Sequence, residues 1–521
     1  MRQAAILAAA SLFVRFMGFA YRTPLTNLIG DDGIGFYSIA YNVYAFGIVL
    51  SSGTLPAALS KMVSERLARR QYGSAHKLFK TALLFSMSVG VVVGAVMGFG
   101  ADVIANVFNA PDTAPAIRTL APTIFVVSVL TVFRGYFQGM KTAVPTAISQ
   151  VVEQIFNVAF SLWLAFLLHD TLNPHRAVAG ATAGTGIAAL AALGTLLFLY
   201  SFIAKDLRTM ANNDLKTREN RRTQIWEIVR TSLPMIIGTG MFSFAFLMDL
   251  QMASGRLLAS GAFSEQQVNE LIGQFTGKFI LLTTLPVSLS LALSSAVIPE
   301  IASSRVLMDT QAVKQKTNMA LRISMILAIP SAIGLAVLAY PIIALLFPRF
   351  PDGGWLLQFG AVSIVFLSLN HVLTGALQGL GHIKLPIFAA LFGVIAKVPI
   401  NYVLVGIPSI NILGVVVSTI VCYIVAAAIN IFFLYKKTGI LPSFSGAFIK
   451  PALASAGMGL VCYITYHTLA YIAPMQIATI VALFTGMVAY LLFMCLIKGF
   501  KQRDLQVLPL PRKLRGWMAR F

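Results

Sequence analysis

Charge is what this chain has least of. Acidic and basic residues together fill 11% of its 521 positions, against roughly 25% in an ordinary soluble domain. Too few polar groups remain to cover a water-facing surface, which excludes a soluble globular protein. Cysteine is nearly absent as well. Cys422, Cys462 and Cys495 each stand alone inside an apolar run, so neither a disulfide framework nor a zinc site is available, and all three read as small packing residues. The six histidines show no metal-ligand spacing. A phosphate-binding loop is missing too. The nearest approach is Gly273-Gln-Phe-Thr-Gly277-Lys278-Phe279, where three residues separate the glycines instead of four and Phe279 replaces the Ser or Thr that should follow the lysine. With no nucleotide-binding domain around it, ATP-driven work by this chain is not expected.

What the chain has in abundance is apolar sequence: 58% of its residues are hydrophobic and the mean hydropathy is +0.82. A membrane-spanning helix needs about 20 such residues. The runs between 5–29 and 475–498 supply about fourteen of them, separated by short polar joints such as GDDG at 30–33, NAPD at 109–112 and PRFPDGG at 348–354. The first run imitates a signal peptide, but Arg15 interrupts it and it continues to Ile29, so it reads as the first membrane helix. The sequence therefore predicts an all-α polytopic membrane protein.

The net charge of +21 is distributed as a membrane protein distributes it, with no continuous basic domain that would point to nucleic acid. If the N-terminus is cytoplasmic, thirty of the 39 basic residues fall in cytoplasmic segments, four in outer loops (Arg118, Arg176, Arg256, Arg349) and five inside spans. That bias places both termini in the cytoplasm.

The halves of the chain repeat. Ser51-Ser52-Gly-Thr-Leu-Pro56-Ala-Ala-Leu-Ser60 recurs as Ser294-Ser295-Ala-Val-Ile-Pro299-Glu-Ile-Ala-Ser303. Gly135-Tyr-Phe-Gln138-Gly139, with Pro145 after it, recurs as Gly375-Ala-Leu-Gln378-Gly379, with Pro386 after it. Two motifs returning in order at nearly one offset argue for a duplicated six-helix unit. Six is even, so the two copies have parallel topology, as in transporters whose halves rock about a site between them. The expected organisation is a six-helix lobe over 1–204, a basic cytoplasmic linker over 205–226, a second lobe over 227–437, two additional helices over 438–499 and a basic tail over 500–521.

An ionisable side chain inside a span costs at least about 2.5–3.5 kcal/mol on insertion scales, so each one needs a reason. Arg15 and Arg22 lie seven residues apart, on one helix face about 10 Å apart along the axis, with Gly18 between them and no acidic residue in that span. A guanidinium binds diphosphate or carboxylate through paired hydrogen bonds without losing its charge. Both arginines are therefore candidate substrate-binding residues, the alternative for Arg22 being a side chain that snorkels to the interface. Arg134 and Glu153 flank the joint near 143–144 symmetrically, and a structural ion pair is the favoured reading, with proton or substrate handling by Glu153 the alternative. Gln150, Glu153 and Asn157 form one polar stripe. Lys278 either adds positive charge to a substrate cavity or snorkels.

These motifs also carry a resemblance. Phe133-Arg134-Gly135-Tyr136-Phe137-Gln138-Gly139, then Pro145 and Ser149-Gln150-Val-Val-Glu153-Gln154, resembles the family of stage V sporulation protein B and its relatives. So does Arg15-Phe-Met-Gly18-Phe19-Ala-Tyr-Arg22, followed by Ile29-Gly30-Asp31-Asp32-Gly33-Ile-Gly35-Phe-Tyr37. The group belongs to the multidrug/oligosaccharidyl-lipid/polysaccharide (MOP) exporter superfamily, which includes the MurJ lipid II flippases and the MATE transporters. The resemblance implies two six-helix lobes in a V, a bacterial plasma membrane, and translocation of an undecaprenyl-diphosphate-linked cell-wall precursor. The alternatives are export of polysaccharide repeat units or of cationic drugs. It further implies roles for Asp249 and Lys397, which match an acidic and a lysine position of the sporulation relatives. Asp249 corresponds to a helix that contributes to a sodium site in the MurJ group, so coupling to Na+ or H+, or gating, stands beside a purely structural pairing of the two. The MurJ group places a further arginine in the second span, where Phe36 to Leu55 has none. No resident cofactor is expected, the chain reads as a monomer, and no cluster of acids or histidine at the membrane surface points to an enzyme.

Overall fold

The computed structural model describes residues 2–169, 175–212, 220–439 and 444–500. The middle of the expected linker (213–219) and the basic tail from 501 onward lie outside the described residues. Among those described there is helix and no strand. In chain order the helices are α1 Arg2–Ser51, α2 Leu55–Ala68, α3 Tyr72–Phe99, α4 Ala101–Val107, α5 Ala114–Gly139, α6 Val144–Leu167, α7 His175–Asn212, α8 Arg221–Ala259 and α9 Glu265–Gly273. They continue as α10 Ile280–Val306, α11 Thr310–Val337, α12 Ala339–Leu346, α13 Gly354–Gly360, α14 Ser363–Gly379, α15 Lys384–Val405, α16 Leu413–Thr438, α17 Phe444–Ala470 and α18 Met475–Leu496.

Among the described residues, twelve helical runs are long and apolar enough to cross a membrane, and a thirteenth forms if α13 and α14, bent 49° apart, count as one. The first run, Ala10–Ala68, has 59 residues. At 1.5 Å per residue that is about 88 Å, far more than one hydrocarbon core of about 30 Å. It holds two crossings, because Gly30 breaks the helix with φ 78° and ψ 175°, a conformation open to glycine and closed to most other residues. Counting that run as two gives the fourteen spans expected from hydropathy. The GDDG joint is thus a one-residue break rather than a loop, and helix resumes directly at Asp31.

The backbone divides into two compact units, Met1–Leu258 with Phe263–Gly273, and Ala259–Ala262 with Gln274–Phe521. This packing boundary does not coincide with the repeat boundary expected at 205–226, because α8 is bound into the first unit. The buried Arg66 guanidinium of α2 pairs with Glu227 of α8 at 2.6 Å and also donates to Ser74 Oγ and the Met62 carbonyl. Thr81 Oγ1 donates to Gln224 Oε1 at 2.8 Å, Ser254 Oγ donates to the Phe108 carbonyl, and Phe46 meets Phe244. The short helix α9 belongs to the first unit as well. A Cβ on Gly35 would overlap the Asn269 carbonyl, and one on Gly273 would overlap the Asp31 carbonyl, so α1 and α9 cross at backbone contact.

Within each unit the two repeated motifs pack against each other. Gly135 of α5 lies on Pro56 of α2, where a Cβ would come within 2.9 Å of the proline Cα, and Gly139 lies on Val63. In the second unit Gly375 of α14 lies on Ser294 of α10, and Gly379 lies on Ile298 and Ile301. The partners have slipped by about one helical turn between the copies. In the first copy the chain leaves helical form between Ser51 and Leu55, whereas α10 runs through the corresponding residues unbroken. The first core is closed by an aromatic cluster of Phe79, Phe133, Tyr136 and Tyr200, and the second by Ile301, Leu321, Met325, Leu373 and Leu434.

Candidate functional site

The two segments of α1 fold back at Gly30, and this brings Arg22 beside Tyr37. The guanidinium carbon lies 5.2 Å from the centre of the Tyr37 ring, within cation–π range. Tyr37 continues into a ladder on the same face, stacking on Tyr41 at 5.7 Å, which meets Tyr44 at 5.9 Å. The spacing of four and three residues is that of one helical stripe. Tyr21 and Tyr37 approach hydroxyl to hydroxyl at 3.5 Å. Arg22 is half-buried and Arg15 is exposed. Among the described residues, neither has a carboxylate partner.

Helix α6 packs against α1 and supplies the facing polar stripe. Gly18 sits opposite Gln154, 3.8 Å from where its Cβ would be. Glu153 is paired with Arg134 of α5, Oε2 to Nη2 at 2.5 Å, and Arg134 Nε donates to Ser149 Oγ at 3.0 Å. The predicted pairing across the α5–α6 joint is present. The pair is not sealed off, because the Glu153 side chain remains 31% exposed against 13% for Arg134. Arg22 and the tyrosine ladder lie on α1, and Glu153 lies on α6 beside the Gln154 that faces Gly18. Lower on α6, Asn157 Oδ1 accepts from Ser161 at 2.9 Å and from Thr185 at 3.3 Å. The result is a guanidinium held over an aromatic face, fronted by amides and one carboxylate.

These residues lie in the segment where a family described as "Polysaccharide biosynthesis protein" matches, residues 1–305. The chain belongs to the polysaccharide biosynthesis protein family. Relatives in Bacillus subtilis include the lipid II flippase MurJ, 23% identical over 83% of this chain and 82% of that protein, and stage V sporulation protein B, 22% identical over 80% and 79%. Among solved structures, MurJ in an inward closed conformation superposes with a TM-score of 0.72 at 16% identity, covering 96% of this chain and 100% of that one. An inward-facing multidrug MATE transporter of the MOP superfamily superposes at 0.64 and 15% identity, covering 82% and 98%. The predicted resemblance is borne out, and the fold is shared with MurJ and the MATE transporters.

The other candidate residues of this family member have surroundings of their own. Lys278 is fully buried in a π-helical turn, Gln274–Phe279, that leads into α10. Its ammonium donates to the carbonyls of Phe350 at 2.6 Å and Asp352 at 2.9 Å, and lies 5.5 Å from the centre of the Phe347 ring. A lysine so engaged anchors the 347–353 loop onto α10, which is neither of the two roles expected from sequence. Asp249 on α8 is buried in the first unit and Lys397 on α15 is buried in the second. Sequence reasoning missed the Arg66–Glu227 pair and the tyrosine ladder. The ladder's signal was available in the spacing of Tyr37, Tyr41 and Tyr44, while a pair 161 positions apart leaves no local trace.

Proposed function

We propose that this protein is a flippase that carries an undecaprenyl-diphosphate-linked cell-wall precursor, of lipid II type, across the bacterial plasma membrane by alternating access. The observation that carries this reading is Arg22, half-buried, braced on Tyr37 and without a carboxylate partner among the described residues. A cation kept at that depth costs several kcal/mol unless an anion joins it, and a diphosphate offers oxygens in the geometry a guanidinium prefers. Arg15, one face and two turns away, extends the same positive track. The amide stripe of α6 suits the hydroxyls of a glycan. The names of the relatives support the same cargo class: one is a lipid II flippase. In this reading Asp249, Lys397 and Glu153 couple transport to Na+ or H+ or gate it, the protein works as a monomer, and both termini face the cytoplasm.

The test is translocation of defined lipid-linked precursors by the protein in proteoliposomes. Arg22→Ala and Arg15→Ala should each reduce transport at least about ten-fold, the loss of one charge-assisted contact of roughly 1.5–3 kcal/mol. Lysine at either position should restore part of it, because a point charge cannot reproduce paired contacts. Full activity in the double alanine variant would end the reading. The other cargo, a lipophilic cation of the kind a multidrug exporter takes, should not be moved, since the site presents positive charge.

A further inference from the structure

A second concentration of positive charge lies in the second unit, where α10 gives way to α11. Arg305 at the end of α10, His382 in the turn between α14 and α15, and Lys437 at the end of α16 converge from three separate elements on one cavity of about 340 Å³. Asp309 is the one carboxylate in its lining, and it is committed elsewhere. Its Oδ1 accepts from the Ala312 N–H at 2.8 Å and caps the first turn of α11. Gly381, with φ 79°, carries the chain past Arg305 so closely that a Cβ there would overlap the guanidinium. Burial, then Lys437 and Arg305, hold the His382 pKa below its ordinary value, as expected where cations crowd one space. Arg305 and Lys437 remain accessible.

What surrounds the cavity identifies its occupant. The turn from α10 to α11 presents Leu307 and Met308, 79% and 91% exposed, and Met308 is held at φ 53°, a region bulky residues rarely occupy. Ile383 follows His382 directly and is also exposed, as is Phe432, one turn before Lys436 and Lys437. Apolar side chains of this size flanking a basic pocket suit the boundary between acyl chains and headgroups, not open water. This is also the end of the unit that carries basic loops, the side that charge bias assigns to the cytoplasm. We propose that this pocket binds the phosphate of an anionic membrane lipid, with Arg305, His382 and Lys437 holding the headgroup while Leu307 and Met308 enter the acyl layer.

The experiment uses the full chain purified in neutral detergent, with its melting midpoint followed as phosphatidylglycerol, phosphatidylcholine or inorganic phosphate is added. Phosphatidylglycerol should raise the midpoint saturably, and the other two should not. Each basic residue near an anionic surface is worth about five-fold in affinity, so Arg305→Gln with Lys437→Gln should need about 25-fold more phosphatidylglycerol for the same shift. Lys437→Arg should keep the response, which separates lost binding from lost folding, and Lys384→Gln, exposed but outside the lining, should behave as wild type. An unchanged phosphatidylglycerol response in the double variant would overturn the proposal. So would an equal shift with phosphatidylcholine, while an equal shift with inorganic phosphate would reassign the pocket to a soluble anion.

Discussion

At the scale of single residues, two ion pairs of the first unit with a buried or part-buried arginine contrast with Arg22. Arg66 and Glu227 neutralise each other across 161 positions, and Arg134 and Glu153 do so across the α5–α6 joint. Glu227→Gln should therefore destabilise the protein by about 2 kcal/mol, since it takes the charged partner from a buried guanidinium. A lowered denaturation midpoint without a change in substrate affinity is the expected record. The Arg134–Glu153 pair can be separated into its two readings. Removing either charge alone should impair the protein, because a lone charge at that depth is costly. If the pair is structural, neutralising both restores folding and transport. If Glu153 handles protons, the double variant folds and loses the pH dependence of transport. His382 supplies a pH effect of the opposite kind. Its folded pKa lies below the ordinary histidine value, because burial and then Lys437 and Arg305 disfavour its charge. The unfolded chain thus binds the proton more readily. The stability His382 contributes is complete above about pH 6.5 and is lost as the pH falls below that value. His382→Gln should flatten that acid limb of the melting profile.

At the scale of elements, the close crossing of α1 and α9 accounts for part of the Gly30–Tyr37 motif. Gly30 supplies the break, and Gly35 admits the Asn269 carbonyl of α9. Gly35→Val and Gly273→Ala should each lift α9 from α1, and a cysteine placed at Asn269, 3% exposed in the native fold, should change from unreactive to reactive towards maleimide. Continued protection there would show that the helix tolerates the added methyl groups. This region also marks the limit of what the sequence made legible. Spans were visible because twenty apolar residues leave an unmistakable average, whereas α9 has only nine residues and mixed polarity. It continues through the π-helical turn into α10 and crosses α1 at backbone contact, a placement no local pattern reveals. The GDDG joint was read as a loop for the converse reason. Its polar composition is that of a turn, but Asp31, Asp32 and Gly33 are helical, and the Asp31 carbonyl meets Gly273 of α9 at backbone contact. Arg134 and Glu153 could be read as partners because the joint between them fixed a hairpin. The anchoring of Lys278 could not, because its acceptors are carbonyls 72 and 74 positions away.

At the scale of the whole molecule, the duplication and the charge bias make separate claims. The duplication shows in the paired motifs, and in both units the glycine helix lies against the proline-bearing one, although about one turn out of register. The two motifs return at offsets of 243 and 240 residues, so the chain between them is three residues shorter in the second copy. The charge bias is a claim about orientation, and it can be tested directly. Ser264, between α8 and α9, should face outward and Asn220, at the start of α8, should face the cytoplasm. The native cysteines offer little background, since Cys422, Cys462 and Cys495 are all buried, and a version lacking them provides the parent for Ser264→Cys and Asn220→Cys. A membrane-impermeant maleimide added to intact cells should label the first variant and leave the second unlabelled until the membrane is opened. The expected contrast is strong because the segment around Asn220 carries seven basic residues between Lys205 and Arg230, whereas 260–272 carries none. Each cationic side chain taken through the membrane opposes the transmembrane potential by about 2.3 kcal/mol per 100 mV. Labelling of Asn220→Cys from outside would reverse the orientation. The Arg305–His382–Lys437 pocket would then face the outer leaflet, and the direction of transport relative to the termini would have to be reassigned with it.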